Sequence, residues 1–169
     1  MKLALPPGGM LVLIGPSGAG KSTLAARHFL PSQVLSSDAL RAMVADDPND
    51  QAATEAAFEL LHAALGLRLA GNRMTVVDAT NVDGWARERL LAATRRYGRR
   101  AVALILALPV EVCLERNARR DDRRLPAATI RRQHRAMLRS LDALPAEGFS
   151  RTVVLRTPRD VEELRIEAG

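Results

Sequence analysis

Nine consecutive residues, Gly15-Pro16-Ser17-Gly18-Ala19-Gly20-Lys21-Ser22-Thr23, have the types and spacing needed to hold a triphosphate. They follow an apolar run, Met10–Ile14, and open a stretch of helical periodicity, which is the strand–loop–helix setting of a Walker A P-loop. Glycines at 15, 18 and 20 permit backbone conformations closed to residues with a Cβ. Successive N–H groups can therefore turn inward as an anion nest at the positive end of the following helix. Of 25 basic side chains only Lys2 and Lys21 are lysines, and every other cation is an arginine. A compact ammonium on a flexible stem reaches the β- and γ-phosphates where a planar guanidinium is too bulky, so Lys21 reads as a chemical requirement. Ser22 offers a hydroxyl to a magnesium ion bridging the phosphates. Gly15, Ser17, Gly18, Ala19, Gly20, Lys21, Ser22 and Thr23 are the expected ATP contacts.

Three further clusters bear chemistry. Val76-Val77-Asp78 ends an apolar run and places a carboxylate in the Walker B position, where Asp78 can hold a water on magnesium; a turn or helix-cap role is the plainer alternative. Ala79 stands where an ATP-driven motor would carry a water-activating glutamate, and no guanine-reading Asn-Lys-x-Asp stretch occurs. Both features favour a transferase over an ATPase or GTPase. In Ser36-Ser37-Asp38-Ala39-Leu40-Arg41, Asp38 can take a proton from an acceptor hydroxyl, and Arg41, one turn later on the same helix face, can grip an acceptor phosphate. The plainer reading makes Ser37 or Asp38 a helix cap. In Glu115-Arg116-Asn117-Ala118-Arg119-Arg120-Asp121-Asp122-Arg123-Arg124, arginines 116, 120 and 123 recur at helical spacing, so one face of a helix pair can close over a triphosphate; a solvated helix end is the alternative.

The elements that must position these residues alternate along the chain. Strands are expected at Met10–Ile14, Gln33–Ser36, Met74–Val77, Ala101–Leu108 and Thr152–Leu155. Helices are expected near Lys21–Phe29, Ala39–Ala45, Gln51–Ala70, Gly84–Tyr97, Val110–Arg120, Pro126–Leu144 and Arg159–Glu167. Five strands with helical crossovers predict an α/β fold: a five-stranded parallel sheet with helices on both faces and a helical lid. Prolines 31, 48, 109, 126, 145 and 158 fall at the junctions.

The 169 residues fit one domain, and 47% apolar content supplies a single core. No stretch is long enough to cross a bilayer, and Pro6-Pro7 interrupts the start before a signal-peptide core can form, so a cytoplasmic location is expected. A single cysteine, Cys113, excludes an internal disulfide framework and reads as a small buried apolar residue. Net charge is +6, with fifteen arginines against five acidic residues between Arg87 and Arg139. That asymmetry suggests a polyanionic partner, or else a solvated face in an arginine-biased composition.

The succession of the P-loop, Ser-Ser-Asp-x-x-Arg at 36 to 41, Asp-Asp-x-Asn-Asp-Gln at 46 to 51, Thr-Val-Val-Asp-Ala-Thr-Asn at 75 to 81, and Glu-Arg-Asn at 115 to 117 leading to Asp122-Arg123 closely resembles the kinase module of bacterial polynucleotide kinase-phosphatase, an RNA-repair enzyme of the P-loop phosphotransferase superfamily. The resemblance spans nearly the whole chain. It implies that residues 1–169 form a single 5′-hydroxyl polynucleotide kinase domain, the N-terminal module of a larger protein with phosphatase and ligase-like modules. It implies ATP and Mg2+ as donor and metal, and 5′-OH RNA or DNA ends as acceptors. In its terms Lys21 and Ser22 hold phosphates and metal, Asp38 is the general base, Arg41 grips the acceptor phosphate, and Arg116 and Arg123 belong to the lid. Arg120 joins the nucleotide contacts, and Gln51 and Asn81 join Asp38 and Arg41 on the substrate side. Two other functions are compatible with the same residues: a kinase of a small alcohol such as a sugar acid or antibiotic, and a nucleotide-dependent switch with no acceptor. Scarce aromatics predict little base stacking and weak sequence preference.

Overall fold

The computed structural model describes residues 1–121 and 124–168. Five strands, β2 (Met10–Ile14), β3 (Val34–Ser36), β4 (Thr75–Asp78), β5 (Ala101–Leu106) and β6 (Arg151–Leu155), form a parallel sheet in the order β3-β4-β2-β5-β6. Helices α1 (Lys21–His28), α2 (Ser37–Ala45), α3 (Thr54–Ala70), α4 (Gly84–Arg96), α5 (Val110–Ala118), α6 (Ala127–Ser140) and α7 (Pro158–Glu163) supply the crossovers. The five-stranded parallel sheet read from the sequence is thus present, with helices on both faces. No helix among the described residues is long and apolar enough to cross a membrane.

The strands are apolar on both faces because both are covered. Leu11, Leu13, Val102, Leu104 and Leu106 face one cluster, completed by Leu24 of α1, Cys113 of α5 and Ile130 of α6. Met10, Val12, Ile14, Ala101, Ala103 and Ile105 face the other, filled by Ala57, Leu61, Leu65 and Leu69 of α3 and Leu90 and Leu91 of α4. The α3 residues repeat every four positions, so one stripe of that long helix lies flat on the sheet. Helix α6 feeds both clusters, through Ile130 and Met137.

One expectation fails at the C-terminus. The helix ends at Glu163, not Glu167, and Arg165–Ala168 is a strand, β7, paired in parallel with β1 (Lys2–Leu5). The Arg165 N–H donates to the Met1 carbonyl at 2.9 Å. From Leu164 onward the apolar positions alternate: Leu164 is buried and Ile166 packs on the core, while Arg165 and Glu167 are exposed. That is a period of two, and it favours the strand. Smaller shifts occur elsewhere: α3 begins at Thr54, and α6 stops at Ser140, with a 3₁₀ turn at Leu144–Ala146.

Strand order turns back at β2, because the connection from β4 to β5 passes over it. Ligands of open parallel sheets bind at the carboxyl ends of the strands beside such a switch point. The P-loop leaves β2 at that end.

Candidate active site

The loop after β2 is anchored on both sides. The Gly15 N–H donates to the Thr80 carbonyl at 2.9 Å, and the Ser17 N–H donates to Oε1 of Gln133 in α6, also at 2.9 Å. Gly18 sits at φ +81°, and a Cβ there would stand 2.3 Å from the Cys113 carbonyl oxygen of α5. Only glycine fits that approach. Gly20, at φ +97°, precedes α1, whose first turn has neither a side-chain cap nor an acidic residue. The leading N–H groups of α1 are therefore left for a ligand anion.

Lys21 is buried, and its Nζ donates to the carbonyls of Gly15 and Pro16, both at 2.9 Å. Burial lowers its pKa, opposed chiefly by the Asp78 carboxylate. Asp78 closes β4 in register with Leu13 of β2 and Ser36 of β3. Burial raises its pKa, while the Lys21 charge and a hydrogen bond with the Ser22 side chain oppose the rise. Desolvation thus works against both charges, and each group offsets part of the other's penalty.

Ser36 caps α2, its Oγ accepting from the Ala39 N–H at 3.4 Å. The cap is therefore neither Ser37 nor Asp38, and Asp38 falls in the first helical turn with its carboxylate beside the cleft. Nη2 of Arg41 is hydrogen-bonded to Oδ1 of Asp38, and Nε donates to the Pro48 carbonyl at 2.9 Å. The i, i+3 spacing thus makes a pair, with the Arg41 side chain 7% exposed and Asp38 39% exposed.

Helices α5 and α6 roof the cleft. Nη1 of Arg116 donates to the Ala19 carbonyl at 3.2 Å, and Arg116 and Arg120 both line the cavity. Arg123 lies outside the described residues. Gln51, in the loop before α3, also reaches the cavity, whose volume is about 500 Å³. Thr23 completes its floor beside Ser22.

Asn81, expected on the substrate side, lines a neighbouring cavity and also braces the backbone. It is buried, and its Nδ2 donates to the Leu13 carbonyl at 2.8 Å and the Ala79 carbonyl at 3.3 Å, so its amide ties the loop after β4 to β2. The same loop is held by Arg87 of α4. That guanidinium donates to the Asn81 carbonyl at 2.9 Å and to both Glu147 oxygens at 2.7 and 2.6 Å. The cleft also contains residues the motifs did not indicate, Thr54, Phe58 and Gln133, and Thr80 from the motif at 75 to 81. Gln133 sits in an arginine-rich helix with no local signature, and only packing of α6 over the loop brings it there.

The donor set fits magnesium. A serine hydroxyl and a carboxylate are hard oxygen groups, and Mg2+ is commonly held by one or two protein oxygens plus phosphates and waters. Among the described residues there is no cluster of three or more His, Cys, Asp or Glu that could form an all-protein metal cage.

A family model described as an AAA domain matches residues 10–144. No curated protein matches in sequence. Among solved structures, a gluconokinase from Sinorhizobium meliloti 1021 is 22% identical with a TM-score of 0.57, over 94% of this chain and 88% of that one. A shikimate kinase from Acinetobacter baumannii is 21% identical with a TM-score of 0.54, over 91% and 87%. A chain of an RNA repair complex is 20% identical with a TM-score of 0.70, over 82% of this chain and 47% of that one.

Proposed function

From the premise that the chain belongs to this AAA-domain family, with the fold of P-loop kinases, we propose that it transfers the γ-phosphoryl group of ATP to the 5′-hydroxyl end of RNA or DNA. One observation carries the choice of acceptor. At Gln51 the cleft that holds Asp38 and Arg41 meets a second groove lined by Arg124 and Arg132, so the acceptor side runs out along a cationic path. A polyanion with a terminal hydroxyl suits that path, and the likeness to a chain of an RNA repair complex supports the reading.

The residues divide the reaction between them. The backbone from Gly15 to Thr23 and the Lys21 ammonium hold the triphosphate, and Arg116 and Arg120 neutralise charge spreading onto the transferred group. Ser22 would hold Mg2+ directly and Asp78 through water; the ion supplies charge neutralisation between the β- and γ-phosphates when bound. Asp38 accepts the proton of the acceptor hydroxyl as its oxygen bonds to the γ-phosphorus and the bond to the β-γ bridging oxygen breaks. Arg41 holds Asp38 in place and lies beside the first acceptor phosphate.

The test is transfer of label from γ-labelled ATP to a 5′-OH oligonucleotide, with Lys21→Ala as control. Label on the oligonucleotide, abolished in that variant, is expected. A second reading, phosphorylation of a small alcohol, is favoured by the likeness to gluconokinase and shikimate kinase structures. Label on gluconate or shikimate and none on the oligonucleotide would overturn the first reading in its favour.

A further inference from the structure

A second cavity, about 620 Å³, joins the phosphate cleft through Gln51, Thr54, Phe58 and Thr80. Its wall carries Trp85, the chain's one tryptophan, in the first turn of α4 with 68% of its surface exposed. An aromatic ring left largely in solvent on the wall of a cavity that adjoins the phosphate cleft is apolar area open to a ligand.

The charges around this cavity differ from those along the arginine-lined groove. Glu55, Glu59 and Asp83 outnumber Arg89 here, whereas Arg124 and Arg132 are the charged groups lining the other. Phosphates are repelled from the first and drawn into the second. An acceptor anchored by its hydroxyl at Asp38 must therefore part at Gln51: its phosphodiester chain follows the arginines, and its uncharged planar portion is left for the aromatic side.

We propose that Trp85, with Phe58, forms a stacking subsite for the base of the acceptor's 5′-terminal nucleoside. This rests on the polynucleotide reading above and adds the part of the acceptor recognised. Stacking accepts any base, because every base presents a π-face. It thus agrees with weak sequence preference while revising the expectation that aromatics play little part.

Because the chain has one tryptophan, its emission reports this site alone. The full chain is titrated, without ATP, with a 5′-OH oligonucleotide and with the same strand carrying an abasic first residue. Phosphoryl transfer to both is then measured for the wild type, Trp85→Ala and Trp85→Phe. Saturable quenching by the base-bearing strand that the abasic strand fails to reproduce is expected. For the base-bearing strand, KM should rise about five- to hundredfold in Trp85→Ala and recover in Trp85→Phe, with kcat and the abasic KM unchanged. Equal quenching by both strands, or equal KM in Trp85→Ala and wild type, overturns the subsite even where transfer is robust. Base-dependent quenching without transfer keeps the subsite and removes the reaction.

Discussion

Arg41→Ala separates two roles that one guanidinium fills. The side chain bonds both Asp38 and the Pro48 carbonyl, and it lines the cleft where the acceptor is proposed to sit. Asp38 is 39% exposed, so the pair is partly screened, and its worth belongs at the lower end of the charge-assisted range, about 1.5 kcal/mol. If that contact aims the base, every acceptor should lose about tenfold in kcat. An acceptor whose first phosphate also meets Arg41 loses a second charge-assisted contact, roughly 1.5–3 kcal/mol, a further ten- to hundredfold in kcat/KM. Initial rates with labelled ATP against a nucleoside and an oligonucleotide read both losses. Asp38→Asn keeps shape and should lower kcat with oligonucleotide affinity nearly unchanged. The double variant should lose less than the sum of the singles, since each single already breaks the pair. Equal, large losses on both acceptors would mean that Arg41 acts on the transferred phosphoryl group. Rates within twofold of wild type on both would sink the pairing argument.

Gly18→Ala should lower Tm and abolish ATP binding, because the left-handed backbone costs about 1–2 kcal/mol for alanine and the new Cβ meets a backbone carbonyl. Gly20→Ala should be milder, since its Cβ meets the movable end of Arg116 at 3.1 Å; calorimetry and ATP titration compare them, and equal losses would refute the packing argument. Arg116→Ala should cut kcat by orders of magnitude, while Arg95→Ala, exposed and paired with Glu88, should change it less than twofold; similar small losses would leave only a diffuse basic field. Asp78→Asn should lose phosphoryl transfer yet resist urea better than wild type at neutral pH without nucleotide or magnesium. Burial raises the folded-state pKa of Asp78, so its contribution to stability is full below the unfolded pKa and is lost as pH rises through the folded one. The advantage of the variant should shrink on acidification, and a gap that widens instead would contradict the sign.

The sheet and P-loop were legible because their determinants are local. Met10–Ile14 and Ala101–Leu106 are unbroken apolar runs, and glycines 15, 18 and 20 mark turns that other residues resist. The pairing of Lys2–Leu5 with Arg165–Ala168 joins segments about 160 positions apart through four residues each, too short for periodicity to speak. Arg159 and Glu163 form an i, i+4 ion pair, and this helical spacing hid the change of period that begins at Leu164. Arg87 shows the limit of reasoning from charge. It counted among the arginines of a basic face, yet it is 1% exposed and braces the loop that carries Thr80 and Asn81. Nothing in its neighbours along the chain distinguishes it from Arg95.

The two halves of the cleft are built from different materials, and this explains why fold and donor chemistry emerge together while the acceptor does not. On the proposed donor side stand backbone N–H groups, one lysine and one serine, all placed by the turn between β2 and α1. That geometry is set by the local backbone, and one fold can serve many chemistries, so the fold alone does not name the acceptor. On the proposed acceptor side, Asp38 and Arg41 come from α2, Gln51 from a loop, Phe58 from α3, Trp85 from α4 and Arg132 from α6. Their exposures differ: Arg41 is buried, Phe58 is half-buried against the core, and Trp85 is mostly in solvent. Substitutions at the exposed positions, Gln51, Trp85 and Arg132, cost little stability, whereas a change at Gly18, Lys21 or Arg41 disturbs a buried contact. Specificity therefore has to be read from where these side chains converge, and they converge at Gln51, where an aromatic groove and a cationic groove part.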